Sequence, residues 1–359
     1  MRIAQIAPLY ESVPPHLYGG TERVVSYLTE ELVARGHHVT LYASRDSRTT
    51  ARLRSVCERA LRLEDGPLPC PLAPHVLQAE VVAREAAEFD IVHSHADFLL
   101  FPHIRHRAIP AITTLHGRLD MPDMFSLFRE FSDMRLVSIS EAQRNPMPWA
   151  SWTATVYHGI PESLYVPQHG QGDYLAFLGR VSPEKGLPCA IEIARRAGML
   201  LRIAAKVDPV DKEYFEQVIR PLLNQPHIEF LGEISEDQKS EFLGDARAVL
   251  FPINWPEPFG LVMIESLACG TPVIAFPRGS VEEIVQDGVT GFVVKNVEAA
   301  AEAVKRIPQI SRSRCRTIFE ERFSVRRMCD DYLKVYEQVI EEHARGALSG
   351  AGCIAGPGE

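Results

Sequence analysis

The order of its apolar segments constrains this chain more than any other feature. Residues 2–7, 38–43, 90–95, 111–116, 136–140 and 154–159 are short apolar runs bounded by Gly, Pro or Asp, the pattern of buried strands. Between the first two lies GGTERVVSYLTEELVARG, where Val24, Val25, Leu28, Leu32 and Val33 recur at helical spacing and Gly36 supplies the stop. Strand, helix and strand in succession predict a parallel βαβ unit, hence an α/β layer fold.

Around 163–173 the periodicity lapses into SLYVPQHGQGD, the composition of a linker, and then the same alternation begins again. Strands are expected at 174–179, 201–206, 228–232, 248–253, 272–276 and 290–294, with helices from about Lys185 to Ala197, near 211–223 and from about Gly260 to Cys269. A second Rossmann-like unit follows from that order. The chain is expected to divide into an acceptor-side domain at 1–165, a donor-binding domain at 173–325, a helix at 326–346 packing back on the first domain, and a flexible tail at 347–359. Met328, Tyr332, Val335, Tyr336 and Ile340 form one stripe of that helix.

A length of 359 residues fits two such domains. The formal charge of −9 argues against a nucleic-acid partner, so any anion site must be local. All seven lysines lie at or after Lys185 and ten of the thirteen histidines precede residue 165, so the halves differ chemically. The seven cysteines include no C-x-x-C pair, which fits a reducing compartment. No apolar run reaches the roughly 18 residues of a membrane span. A cytoplasmic protein is expected, with at most peripheral contact at the inner face of a membrane. The stretch 51–63, ARLRSVCERALRL, can be drawn as an amphipathic helix carrying Arg52 and Arg59.

Two open parallel sheets make a cleft where the carboxyl ends of their strands face each other. The first turn lacks G-x-G-x-x-G, so a nicotinamide dinucleotide site has no support; Gly19 and Gly20 instead open the first long helix, where its amides face an anion or a sugar hydroxyl, or form a plain turn. In the second half GRVSPEKG puts Arg180 just past a strand and Lys185 five positions on, a pair of cations suited to a diphosphate or simply solvated. Downstream, WPEPFGLVMIESLACGTPVIAF carries Glu257, then Gly260 at a helix start, and Glu265 on an otherwise apolar helix. A carboxylate in such surroundings must be paired, with ligand hydroxyls or with a nearby arginine.

These segments resemble the retaining glycosyltransferases of the GT-B fold, family 4. The residues that carry the resemblance are the E-x7-E element Glu257 to Glu265, GRVSPEKG, ACGTPVIAFPRGSVEEIV, DGVTGFVV, YGGTERVV and TTLHG, in the family's order over most of the chain. The resemblance implies two facing Rossmann-like domains with a cleft between them. It also implies a nucleotide-diphosphate sugar donor, with UDP- and GDP-sugars first, and a hydroxyl acceptor that the sequence does not identify. By resemblance Arg180 and Lys185 bind the diphosphate, Glu257 and the backbone of Phe259, Gly260 and Leu261 the transferred sugar, and Glu265 the ribose. Gly19 and Gly20 approach the donor from the other domain, the base lies near Gly232 to Ile234, and His116 faces the reacting sugar. His116, Glu257, Arg180 and Lys185 form the expected catalytic set.

Two departures stand out. Where many relatives carry Asn-Gly after a strand, this chain has His158 in VYHGI, and IAAKVD replaces a Gly-rich strand end, so Lys206 either adds a donor contact or is a surface lysine. His93, His95, His103 and His106 crowd one segment without a second cluster to make a metal site. There is no D-x-D triplet, so neither metal nor cofactor is expected. A sugar-nucleotide epimerase and a silent nucleotide-sugar-binding protein share the layout and stand as alternatives; a glucan phosphorylase is a weaker one.

Overall fold

The computed structural model describes residues 1–16, 19–63, 70–168 and 172–351, with side chains to 345. The first half contributes β1 (Arg2–Ile6), β2 (His38–Tyr42), β3 (Arg52–Arg54), β4 (Ile91–Ser94), β5 (Ala111–Thr114), β6 (Leu136–Ser138) and β7 (Trp152–Thr155). They form one parallel sheet in the order 3-2-1-4-5-6-7. The second half contributes β8 (Tyr174–Arg180), β9 (Leu200–Lys206), β10 (Ile228–Gly232), β11 (Ala248–Phe251), β12 (Val273–Ala275) and β13 (Gly291–Val293), parallel in the order 10-9-8-11-12-13. In both sheets the order reverses beside the first strand, which leaves a crevice at its carboxyl end.

Alternation explains why the strands read as unbroken apolar runs. Ile3, Val39, Ile91, Ile112 and Val137 face one layer with Val24, Leu28 and Leu32 of the Gly20–Ala34 helix, while Ala4, Ile6 and Val92 face the other with Ala79 and Val82 of the Leu72–Glu85 helix. Both faces are covered, so both sets of positions must be apolar.

The chain passes from the first half to the second at Ile160 and returns at Ser324, and the two crossings pair. Ile160 N donates to Phe323 O at 3.0 Å and Val325 N to Ile160 O at 2.9 Å. Gly159 is required there, because a Cβ would lie 2.2 Å from Ser324 O. After the return, the Val325–Ala351 helix lays Met328, Tyr332, Tyr336 and Val339, all fully buried, against Ile3, Ile91 and Ile112 of the first sheet. Burying Met328 or Val339 is worth roughly 1.5–3 kcal/mol.

Several expectations are corrected. Residues 51–63 are not a helix: Arg52–Arg54 is the edge strand β3, paired with β2, and the following residues form turns. Strand β7 starts at Trp152 and stops at Thr155, so Tyr157 and His158 belong to the loop beyond it. The helix expected from Lys185 begins at Leu187, after a 3-10 turn Pro183–Lys185 and Gly186 at φ 72°. Tyr165, inside the expected linker, is fully buried and its hydroxyl bonds Glu236; residues 169–171 of that linker lie outside the described residues. The terminal helix continues to Ala351, and the rest of the expected tail lies outside the described residues. Among the described residues no helix is long and apolar enough to cross a membrane.

Candidate active site

The two sheets meet through the loops at their carboxyl ends. Ser140 Oγ, beyond β6, donates to Pro258 O at 2.6 Å, and the amides of Glu141 and Ala142 both donate to the Glu283 carboxylate at 2.8 Å. Tyr157 Oη adds a bond to Glu283 at 3.0 Å. On the other flank Arg23, in the helix after Gly20, pairs with Glu236 at 2.6 Å. A Cβ on Gly20 would touch Leu261 Cδ1 at 3.5 Å, which brings the glycine pair of the first domain against the helix that carries Glu265.

Each glutamate of the E-x7-E element holds a lysine. Lys185 Nζ lies 2.6 Å from Glu257 Oε2, and Trp255 Nε1 donates to the same oxygen at 2.8 Å. Lys185 Nζ also stands 5.0 Å from the centre of the Trp255 ring, a cation–π distance. Glu257 is 8% exposed, so its charge is compensated mainly by these two donors. Glu265, 4% exposed on the Leu261–Ala268 helix, takes a bond from Lys239 Nζ at 3.0 Å. Lys239 bridges on to Glu236 at 3.1 Å, so Glu265 connects through Lys239 and Glu236 to Arg23 of the other domain. Burial opposes ionisation of Glu236, but Lys239 and Arg23 outweigh it and hold its carboxyl below the usual range. Where the sequence offered ligand hydroxyls or a nearby arginine as partners, the protein groups that meet these two carboxylates include lysines.

Arg180 and Lys185 both stand at the end of β8, and each faces carboxylates. Arg180 faces Glu184 at 2.7 Å, Asp211 at 3.4 Å and Asp208 at 3.7 Å, and Lys206 meets Asp208 at 3.1 Å. Lys206 is therefore ion-paired rather than simply solvated. Gly260 sits at φ 80° and opens the Leu261–Ala268 helix; Phe259 beside it is buried. Gly232 ends the edge strand β10 at φ 75°, and Ile234 packs on the second core just before Ser235 caps the Glu236–Gly244 helix.

His116 follows β5 and joins a line of buried rings. Its Nε2 lies 2.8 Å from His95 Nδ1, its face stacks on His158 with centroids 5.2 Å apart, and His158 meets Phe259 of the second domain edge-on at 4.8 Å. Burial pushes the His116 pKa down to about 3 and holds those of His93, His95 and His158 well below the ordinary value. All four rings are neutral at pH 7. The departure at His158 is thereby given a place, between His116 and Phe259.

Sequence reasoning missed Lys239, Glu236, Arg23, Asp208 and Asp211 as partners. A capping-box signal, Ser235 three residues before Gln238, marks the unpredicted helix that carries Lys239. Nothing local announces Arg23 or the pairing of Arg180 with Asp208 and Asp211, because those pairs span many residues of sequence, whereas Glu236 lies on the Lys239 helix and Asp208 beside Lys206, within local reach.

Residues 167–323 match the profile of glycosyl transferases group 1, and residues 18–158 match that of glycosyltransferase family 4. The D-inositol 3-phosphate glycosyltransferase of Mycobacterium leprae is 26% identical over 321 residues, which span 76% of this chain and 74% of that protein. An uncharacterized glycosyltransferase of Methanocaldococcus jannaschii is 24% identical over 281 residues, 72% of this chain and 78% of its own. Sucrose-phosphate synthase from Thermosynechococcus elongatus superposes with a TM-score of 0.78 at 18% identity, over 95% of this chain and 99% of that one. Anabaena HepE, solved in complex with UDP and glucose, superposes with a TM-score of 0.73 at 17% identity, over 94% and 100%. These likenesses establish the two-domain GT-B architecture.

Proposed function

The chain belongs to the group 1 glycosyltransferases of the GT-B fold, and from that premise we propose that it moves a hexose from a nucleotide-diphosphate sugar to a hydroxyl acceptor with retention of anomeric configuration. The observation that carries the reading is the Lys185–Glu257 pair, which sets a cation and a carboxylate together between the ends of β8 and β11. A donor needs both there: positive charge for the diphosphate and a carboxylate for the hydroxyls of the sugar. Solved relatives in complex with UDP and with UDP-glucose favour a uridine donor first.

As the glycosidic bond to the diphosphate lengthens, the anomeric carbon gains positive character and the leaving oxygen negative charge. Lys185, Arg180 and the amides around Gly260 oppose that negative charge, the fixed electrostatic contribution that dominates most catalysis. Glu257 holds sugar hydroxyls, and Glu265, at the end of the Lys239 bridge, holds the ribose. Double displacement would need a carboxylate nucleophile at the anomeric carbon. Glu257 is the carboxylate assigned to the sugar hydroxyls rather than to the anomeric carbon, so substitution on one face fits better, with the leaving phosphate accepting the proton of the acceptor. Arg180, Lys185 and Lys206 supply the charge that a metal supplies in D-x-D enzymes, so transfer is expected without a metal. His116 positions the sugar.

The test is mass-spectrometric: UDP-, GDP- and ADP-hexoses with lipid, glycan and small-metabolite acceptors, in EDTA. Mass gain of one hexose on an acceptor supports the reading. Conversion of donor alone to an epimer, or binding without transfer across the panel, contradicts it.

A further inference from the structure

A hydrogen-bonded line runs from the terminal helix to His116 through the interior of the first domain. Tyr336 Oη lies 2.9 Å from Gln5 Nε2 and 2.7 Å from His93 Nδ1; Gln5 Oε1 lies 2.8 Å from His95 Nε2; His95 Nδ1 lies 2.8 Å from His116 Nε2. On a side branch His93 Nε2 meets Thr114 Oγ1 at 2.8 Å, and Thr114 Oγ1 meets Tyr332 Oη at 3.0 Å. Gln5, His93, His95, Thr114, Tyr332 and Tyr336 are each at most 2% exposed. His116 Nδ1 is buried and has no hydrogen-bond partner among the described residues.

Two directions of donation satisfy this line. In the first, Gln5 Nε2 donates to Tyr336 Oη, which donates to His93 Nδ1, and His93 Nε2–H donates to Thr114. Gln5 Oε1 then accepts from His95 Nε2–H, which leaves His95 Nδ1 a lone pair to accept from His116 Nε2–H. His116 Nδ1 ends as a bare acceptor. In the second, the Gln5 amide is turned over so that its nitrogen faces His95 and its oxygen faces Tyr336, every other donor is reversed, and His116 ends with an Nδ1–H that has no acceptor among the described residues. A buried N–H without a partner is rarer and costlier than an under-used acceptor, which selects the first direction.

We infer that His95, oriented by Gln5 and Tyr336, is a positioning residue that fixes His116 as the Nε2–H tautomer, so that any group meeting His116 Nδ1 must donate. The functional part rests on the reading of this cleft as the site of sugar transfer. Gln5, His95 and Tyr336 are too buried to be open to a substrate. A hydroxyl of the sugar suits the arrangement because it brings its own proton, and the wrong tautomer would set hydrogen against hydrogen.

The experiment is long-range proton–nitrogen NMR on the full chain labelled with 15N-histidine, with His116→Gln used to assign the His116 signals. The intact protein shows His116 protonated at Nε2 and bare at Nδ1. His95→Asn, which keeps an acceptor near the original Nδ1, retains that tautomer and most of kcat. His95→Phe loses it, and kcat falls about tenfold with donor KM unchanged. Because a His95 variant can fail to fold, Tyr336→Phe is the second arm: the ring stays in its pocket on the terminal helix, and His116 becomes a mixture of tautomers. An Nδ1-protonated His116 in the intact protein, or an unaltered tautomer in both His95→Phe and Tyr336→Phe, overturns the inference. A chain with the Nε2–H tautomer that transfers no sugar would leave the relay standing and contradict the function instead.

Discussion

Lys185 Nζ and Glu257 Oε2 stand 2.6 Å apart, joining the turn after β8 to the loop after β11 across 72 positions of sequence. Both side chains are largely withdrawn from solvent, 18% and 10% exposed, so the pair is neither a screened surface bridge nor a dry one. A donor that binds between them must exchange these bonds for its own. Glu257→Ala is expected to cut kcat/KM by about 10- to 100-fold, the worth of one or two charge-assisted hydrogen bonds in the transition state. Lys185→Ala should do the same, and the double variant should lose much less than the product of the two. Independent effects, each within twofold of the parent, would place the pair outside the donor site.

The bridge from Glu265 through Lys239 predicts a different phenotype. Ribose contacts are the same in ground and transition states, so Glu265→Ala and Lys239→Ala should raise donor KM with kcat little changed. Steady-state kinetics with donor varied separates the cases. A fall in kcat at unchanged KM would move these residues to the reacting centre.

Acid should destabilise the fold. The rings of His93, His95, His116 and His158 are held neutral chiefly by burial, His116 at about 3, whereas an unfolded histidine titrates near 6.5. The unfolded chain therefore takes up protons first as pH falls, so this stability is complete above about 6.5 and drains away toward 3. Glu22 works in the opposite sense, since burial raises its carboxyl to about 7 and the folded chain gains that proton first. Asp97, raised by burial to about 6, acts with Glu22, while burial lowers His37 and His75 as it does the four rings, so six histidines against two carboxyls leave the loss dominant. Urea midpoints at pH 7.5, 6.5 and 5.5 should decline; a midpoint that is level or rises toward pH 5.5 contradicts the account.

Gly260 combines left-handed backbone, φ 80°, with crowding: a Cβ would come within 2.8 Å of Met263 Cε and 3.1 Å of Phe251 Cζ. Gly260→Ala should cost about 1–2 kcal/mol or more in stability, read as a lower Tm, and should lower transfer by shifting the start of the Glu265 helix. Parent-like Tm and rate would show that the left-handed turn is not needed.

The sequence was legible where local pattern and tertiary fate agree. Strands such as 2–7 and 174–179 are buried on both faces, so their composition alone marks them, and Gly36 ends its helix by the chemistry of its own backbone. Residues 51–63 misled because Arg and Leu at helical spacing say nothing of the free edge of β2, where Thr40 pairs with Arg52 and Tyr42 with Arg54. The helix Leu72–Glu85 was hidden behind Pro71 and Pro74, which sit harmlessly at its start. At the site, residue types were readable and partners were not. A buried glutamate announces that it needs a cation, but Lys239 is 26 positions from Glu265 and Arg23 is further still. The histidine line depends on Tyr336, 243 positions beyond His93, and no local rule reaches that far.

The most direct test of the central claim is transfer itself, measured in EDTA with the parent chain and Glu257→Ala side by side, with anomeric configuration of the product read by NMR. The account predicts hexose transfer from a nucleotide-diphosphate sugar by the parent, the donor's configuration kept, and a loss of about 10- to 100-fold in Glu257→Ala. An inverted product, a strict requirement for added Mg²⁺ or Mn²⁺, or equal rates in the two proteins would contradict it.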